Sequence, residues 1–183
     1  MRIIAGKARS LPLKTVEGLS TRPTSDKIKE TLFNMLQSDV PGACFLDLFA
    51  GSGQIGLEAV SRGADFAVFV ENGKKAAACI DANIKFAKFD DQCLLMVQDA
   101  RSSVAMLEGK YQFDIIFMDP PYNKGLEMEV LEALSGSSVV KPETIIIVEA
   151  SLETDFSPVE ELGFEITKYK KYKTNAHVFL RRK

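Results

Sequence analysis

The chain has 183 residues, 46% of them hydrophobic and 26% charged, with a formal net charge of −2. That is core material for one folded domain, and no apolar run approaches the roughly 20 residues of a membrane helix, which sets a membrane-spanning protein aside. A single His and three cysteines, Cys44, Cys79 and Cys93, with no Cys-x-x-Cys spacing, leave no zinc pattern and no disulfide framework, so no metal is expected and a reducing cytoplasm is the expected setting.

In chain order, Ile3-Ile4 and Leu11-Pro12-Leu13 predict a small N-terminal hairpin. Thr24 is the expected N-cap of a helix running to about Leu36, with Ile28, Leu32, Met35 and Leu36 on one face. Pro41-Gly42 then separates residues 1–40, a hairpin-helix extension of the same domain, from a main body over residues 41–183. In that body Cys44–Ala50 reads as a buried strand, followed by Gly51-Ser-Gly-Gln-Ile-Gly56 and a helix over Leu57–Arg62 stopped by Gly63. Phe66–Val70 is the next strand. Lys74–Lys88 places Ala77, Ile80, Ile84 and Ala87 at helical spacing, which suits core packing, and Cys93–Val97 is a third strand. Phe113–Met118 is a fourth strand, Val130, Leu131 and Leu134 mark a helix, Thr144–Val148 is a fifth strand, and Gly163–Ile166 with His177–Leu180 reads as a final pair. Strands alternating with helices predict an α/β, Rossmann-like doubly wound sheet, mostly parallel.

The chemistry gathers at strand ends. Asp119-Pro120-Pro121-Tyr122 directly follows the fourth strand. Two prolines fix φ and remove two backbone donors, so a carboxylate and a carbonyl are held where both can accept the hydrogens of an –NH2 group. Tyr122 can stack on the flat ring that carries it. The plainer alternative is an ordinary Pro-Pro turn. Glu71 ends the second strand, where a carboxylate can take ribose hydroxyls, and Asp99 follows the third, placed for an adenine amino group. With Asp47 in the first strand, acids thus mark four successive strands at the ends where open α/β sheets bind ligands. Gly51-x-Gly53-x-x-Gly56 with Glu71 twenty residues on also fits a dinucleotide fingerprint. Hydride transfer, however, would leave the Asp-Pro-Pro-Tyr stretch without a role.

The net charge conceals two basic ends. Residues 1–29 hold seven Lys and Arg against Glu17 and Asp26, a net +5, and residues 168–183 hold seven with no acid, leaving −14 in between. Phosphate binding needs only a local positive face, so both ends are candidates for one RNA-binding mouth. Lysines at 168, 170, 171 and 173 also suit the guarding of a sheet edge.

Asp47–Gly53, Phe69-Val70-Glu71 and Asp119–Tyr122 resemble the cofactor loop, ribose acid and amino-methyltransferase signature of class I S-adenosylmethionine-dependent methyltransferases. Met1–Gly6, Thr21–Asp26, Glu30–Leu36 and Gly56–Ala64 narrow the resemblance to the bacterial 16S rRNA guanine-N2 methyltransferase family (RsmD-like) from the first residue to at least Ala150. Departures from its pattern occur at Ala5, Ser10-Leu11, Gln54-Ile55 and Tyr172–His177. The resemblance implies a seven-stranded sheet with a reversed strand near its end. It implies S-adenosyl-L-methionine as cofactor, facing Asp47, Phe49, Gly51, Gly53, Glu71, Asp99, Ala100 and Asp119. Asp119, Pro120 and Tyr122 are then the catalytic set. Arg9, Arg22, Thr24, Tyr122, Lys171 and Lys173 are the residues expected on ribosomal RNA or the small ribosomal subunit, with the protein a monomer. Methylation of adenine N6 in DNA, or of a protein glutamine, is the alternative amine chemistry, and a non-catalytic RNA-binding assembly factor is the alternative class.

Overall fold

The computed structural model describes residues 1–16 and 24–183. Its elements in order are α1 (Asp26–Met35), β1 (Cys44–Asp47), α2 (Gln54–Ser61), β2 (Phe66–Val70), α3 (Lys74–Ala87), β3 (Cys93–Met96), α4 (Ala100–Leu107), β4 (Phe113–Met118), α5 (Leu126–Leu134), β5 (Val140–Ser151), β6 (Phe164–Lys171) and β7 (Asn175–Arg182). Seven strands form one sheet in the order β3-β2-β1-β4-β5-β7-β6. The pairings among β1 to β5 are parallel, whereas β7 runs antiparallel to both β5 and β6. This is the doubly wound sheet with a reversed strand that the sequence implied.

The central strands are apolar on both faces, as strands sandwiched between helices must be. Alternate residues divide between two cores. Phe45, Phe69, Ile115, Phe117, Ile147 and Phe179 pack with Leu32, Phe33, Ile55 and Ile80 of α1 to α3. Leu46, Val68, Ile116, Ile146, Val148 and Val178 pack with Val104, Leu107, Val130 and Leu131 of α4 and α5. β3 and β6 are the edge strands, and β6 is buried only at Phe164.

The N-terminal hairpin pairs Arg2 with Pro12, and the Ile3 amide donates to the Leu11 carbonyl at 3.0 Å. Its turn is pressed on the C-terminal end of α2: a Cβ on Gly6 (φ +85) would lie 1.8 Å from the Ser61 carbonyl oxygen, so only glycine fits. The fastening is a buried cluster. Glu58 of α2 accepts from the amides of Ile4 (2.8 Å) and Ala5 (3.0 Å) and from Arg62 Nε (2.8 Å). Lys29 of α1 lies 3.4 Å from the same carboxylate, and both side chains are fully buried.

Several expectations change. The N-cap of α1 is Ser25 and not Thr24, because the Ser25 hydroxyl is the group that accepts from the Ile28 amide. α2 starts at Gln54, three residues before the expected Leu57, since Gly53 in the left-handed region opens it. α4 was not foreseen; Asp99 caps it, and burial of Ala100, Val104 and Leu107 outweighs the weak helix propensity of its two serines. β5 begins at Val140, before a proline that hides it, and the register of β4 against β5 shifts between Phe113 and Ile115. Among the described residues no helix is long and apolar enough to cross a membrane.

Candidate active site

The C-terminal ends of β1, β2, β3 and β4 bring Asp47, Glu71, Asp99 and Asp119 to one edge of the sheet. Asp47 is buried; its Oδ2 accepts from the Gly56 amide at 3.2 Å, while its Oδ1 has no partner among the described residues. Burial, followed by repulsion from Glu71, pushes its carboxyl up to about 7. Glu71 grips the turn beside it, with Oε2 accepting from the Gly51 amide at 2.9 Å and Oε1 from the Gly73 amide at 2.8 Å.

The three glycines of the turn do different work. A Cβ on Gly56 would meet the Phe69 ring at 2.3 Å, so this glycine serves close packing of helix on strand. Among the described residues a Cβ on Gly51 would meet nothing within 4 Å, leaving open space above the loop for a ligand to approach the backbone. Gly53 opens α2 in a left-handed conformation with no side-chain cap. Asn83 of α3, fully buried, ties the loop to the N-terminal segment: its Nδ2 donates to the carbonyls of Ser52 (2.9 Å) and Lys14 (3.1 Å). Phe49 is half-buried and packs into the α4–α5 side of the core. Asp99 accepts from the Ser102 amide at 2.9 Å, which holds its carboxyl below the usual aspartate range, and Ala100 is the buried first residue of α4.

At the end of β4, Pro120 is buried and the Tyr122 ring is 40% exposed. Desolvation first, then the charges of Glu149 and Asp47, push the Asp119 carboxyl well above the usual aspartate range. Glu149, near the end of β5, is an acid the sequence reading did not single out. It ends the apolar run Thr144–Val148, and the pattern of an acid closing a buried strand, already seen at Glu71, is the signal that points to it. Its Oε1 accepts from Asn175 Nδ2 at 2.7 Å and from the Tyr122 hydroxyl at 3.3 Å, and its Oε2 lies 3.1 Å from His177 Nε2. The Tyr172 hydroxyl lies 3.3 Å from His177 Nδ1, and burial raises the Tyr172 hydroxyl to about 12.

The basic ends divide. Register pairs Lys171 with Ala176 and Ser151 with Asn175, so the turn between β6 and β7, carrying Lys173, stands at the same sheet edge as Asp119. Arg181, Arg182 and Lys183 stand at the opposite end, where Arg182 is consumed by the carbonyls of Val140, Leu134 and Ser137. Of the N-terminal charges, Lys29 is buried against Glu58, Arg2 pairs with Asp26 at 3.2 Å, and Arg9 sits by the C-terminal end of α2. Among the described residues, the expectation that both whole ends flank one mouth therefore narrows to the β6–β7 turn and Lys14, whose carbonyl shares the Asn83 Nδ2 donor with Ser52 of the glycine turn. Thr24 is half-buried just before the Ser25 cap, and Arg22 lies outside the described residues.

The family model described as Conserved hypothetical protein 95 matches residues 1–181. Ribosomal RNA small subunit methyltransferase D of Haemophilus influenzae is 37% identical over 152 residues, covering 81% of this chain and 78% of that protein. The solved structure of yhhF from Escherichia coli matches with a TM-score of 0.85 and 32% identity, covering 100% of this chain and 98% of that one. A 16S rRNA N2 methyltransferase of T. thermophilus, solved with AdoMet and guanosine, matches in fold alone, with a TM-score of 0.70 and 20% identity over 91% of this chain and 45% of that one. With one family model covering nearly its whole length and a relative 37% identical over 81% of it, the chain belongs to the ribosomal RNA small subunit methyltransferase D family.

Proposed function

We propose that this enzyme transfers a methyl group from S-adenosyl-L-methionine to the exocyclic N2 amine of a guanine in small-subunit (16S) ribosomal RNA. The observation that carries the reading is Asp119-Pro120-Pro121-Tyr122 at the end of β4, with a half-buried acid beside a ring open to solvent.

The cofactor fits the residues around the glycine turn. The unpartnered, buried Asp47 Oδ1 suits a cationic group, and the space over Gly51 admits a ligand against the backbone. Glu71 stands where ribose hydroxyls would be taken, and Asp99 and Ala100 where the base would lie. The cofactor supplies a methyl group on a positively charged sulfur. Asp119 and the Pro120 carbonyl accept the two amine hydrogens, which favours a pyramidal nitrogen with a localised lone pair and stabilises the cation that forms. With the cofactor bound, Asp119 would hold the amine in line with that methyl and would take its surplus proton, or pass it to water. Tyr122 stacks on a base swung out of its RNA context. Lys171 and Lys173 at the same rim supply phosphate contacts.

Transfer of label from methyl-labelled cofactor distinguishes the readings. Naked 16S rRNA and small subunits from an unmethylated strain should both be tried, with DNA and protein as comparison substrates, and the product digested to nucleosides. Label in N2-methylguanosine is expected. Label only in N6-methyladenine of DNA or in a protein glutamine would overturn the RNA reading, and none in any acceptor would favour a binding factor.

A further inference from the structure

Glu149 is nine-tenths buried in a strand that sequence reasoning left outside the site, yet both its oxygens are engaged. Two of its partners, Asn175 and His177, come from the reversed strand β7 and are themselves buried. They pin the carboxylate from one side. The third is the hydroxyl of Tyr122, the exposed ring at the mouth, on a loop that leaves β4 through two prolines. A tyrosine on such a loop has two free side-chain torsions, and a hydrogen bond to a fixed anion removes that freedom before substrate arrives. Asn175 Nδ2 is a donor only, and the anion is what the Tyr122 hydroxyl needs as acceptor. The charge on Glu149 also raises the Tyr122 hydroxyl above its ordinary range, after burial, so the hydroxyl keeps its proton and stays a donor.

We propose that Glu149 is a positioning residue for methyl transfer: pinned by Asn175 and His177 of β7, it holds the Tyr122 ring at the pocket mouth in the orientation that stacks the target base. This rests on the RNA reading above and assigns the reversed strand a part in substrate binding. Glu149 reaches the target base through Tyr122 and touches neither methyl donor nor acceptor; its charge on Asp119 bears on kcat, so the positioning role is read in KM.

A double-mutant cycle tests it. Wild type, Tyr122→Phe, Glu149→Gln and the double variant are compared in RNA methylation with KM and kcat resolved, alongside cofactor affinity and melting temperature. Each single variant should raise KM for RNA roughly tenfold, the scale of one hydrogen bond to a charged group, with cofactor affinity unchanged. The double variant should be no worse than about twofold beyond the weaker single, because both remove the same link. Tyr122 is exposed, so Tyr122→Phe keeps its fold whatever Glu149→Gln does. An unchanged KM in Tyr122→Phe overturns the proposal, as do losses that multiply in the double variant. A wild type that methylates no RNA removes the parent reading and this one with it, whereas an active wild type with independent losses removes the positioning role alone.

Discussion

Glu58→Ala should be the most damaging single change outside the site. The carboxylate accepts three hydrogen bonds, from the amides of Ile4 and Ala5 and from Arg62 Nε, and pairs with the Lys29 ammonium 3.4 Å away. Removing it leaves Lys29, fully buried, with only the Arg2 carbonyl at 2.6 Å among the described residues, and strands two amides. Breaking a buried pair by deleting one partner costs about 3–5 kcal/mol. Arg62 is partly exposed and can turn to water, so its loss adds little. A central figure of about 4 kcal/mol, at about 2–4 °C per kcal/mol for a chain of this size, lowers the melting temperature by about 8–16 °C. Lys29→Met is the control, since Glu58 then keeps three donors and the cost should be about 1–2 kcal/mol. The pH dependence carries a sign. Burial, outweighing the pull of Glu58, already holds Lys29 below the ordinary lysine value of 10.5. Below that value the unfolded chain binds the extra proton, so stability rises with pH through the window. Without Glu58 the Lys29 value falls further, and the deficit of Glu58→Ala should shrink as pH rises. Urea melts at several pH values, with hydrogen exchange over residues 1–16, measure all of this. A Lys29→Met variant as destabilised as Glu58→Ala would refute the reasoning.

Asp119→Ala should leave cofactor affinity intact and slow single-turnover methylation by at least about a hundredfold, because its bonds strengthen in the transition state; a near wild-type rate would sink the assignment. The ionised carboxylate is the accepting form and its pKa is raised, so activity should be full above that value and fall as pH drops through it, above the usual aspartate range. Glu71→Ala removes the acceptor for the Gly51 and Gly73 amides and should weaken cofactor binding by about 1–3 kcal/mol; calorimetry with unchanged affinity would leave Glu71 a turn-holding residue only. Neutralising Lys171 and Lys173 together should weaken RNA binding and reduce the log–log salt slope by about 0.7–0.9 per lost phosphate contact. Cofactor affinity should not move, and an unchanged slope with unchanged RNA affinity would assign these lysines to guarding the edge of β6.

What could be read without coordinates was whatever repeats locally. The runs Phe66–Val70 and Phe113–Met118 match β2 and β4 residue for residue, because a strand buried on both faces is apolar nearly throughout, with Asp114 the one polar residue of the two. The stripe in Lys74–Lys88 matches α3, and the acids closing those strands mark the site edge, since a strand's end is set by its own sequence. Charge counting was the weaker guide. A lysine in the sequence carries the same +1 whether it faces phosphate or, like Lys29, is buried against a carboxylate 29 positions away on another helix. Arg182 likewise spends its donors on carbonyls more than 40 positions back. Only the tertiary structure decided those pairings, and only it brought Glu149, Asn175 and His177 together under Tyr122. Strand order and reversal set such neighbours, and both depend on contacts between segments whose local patterns carry no record of one another.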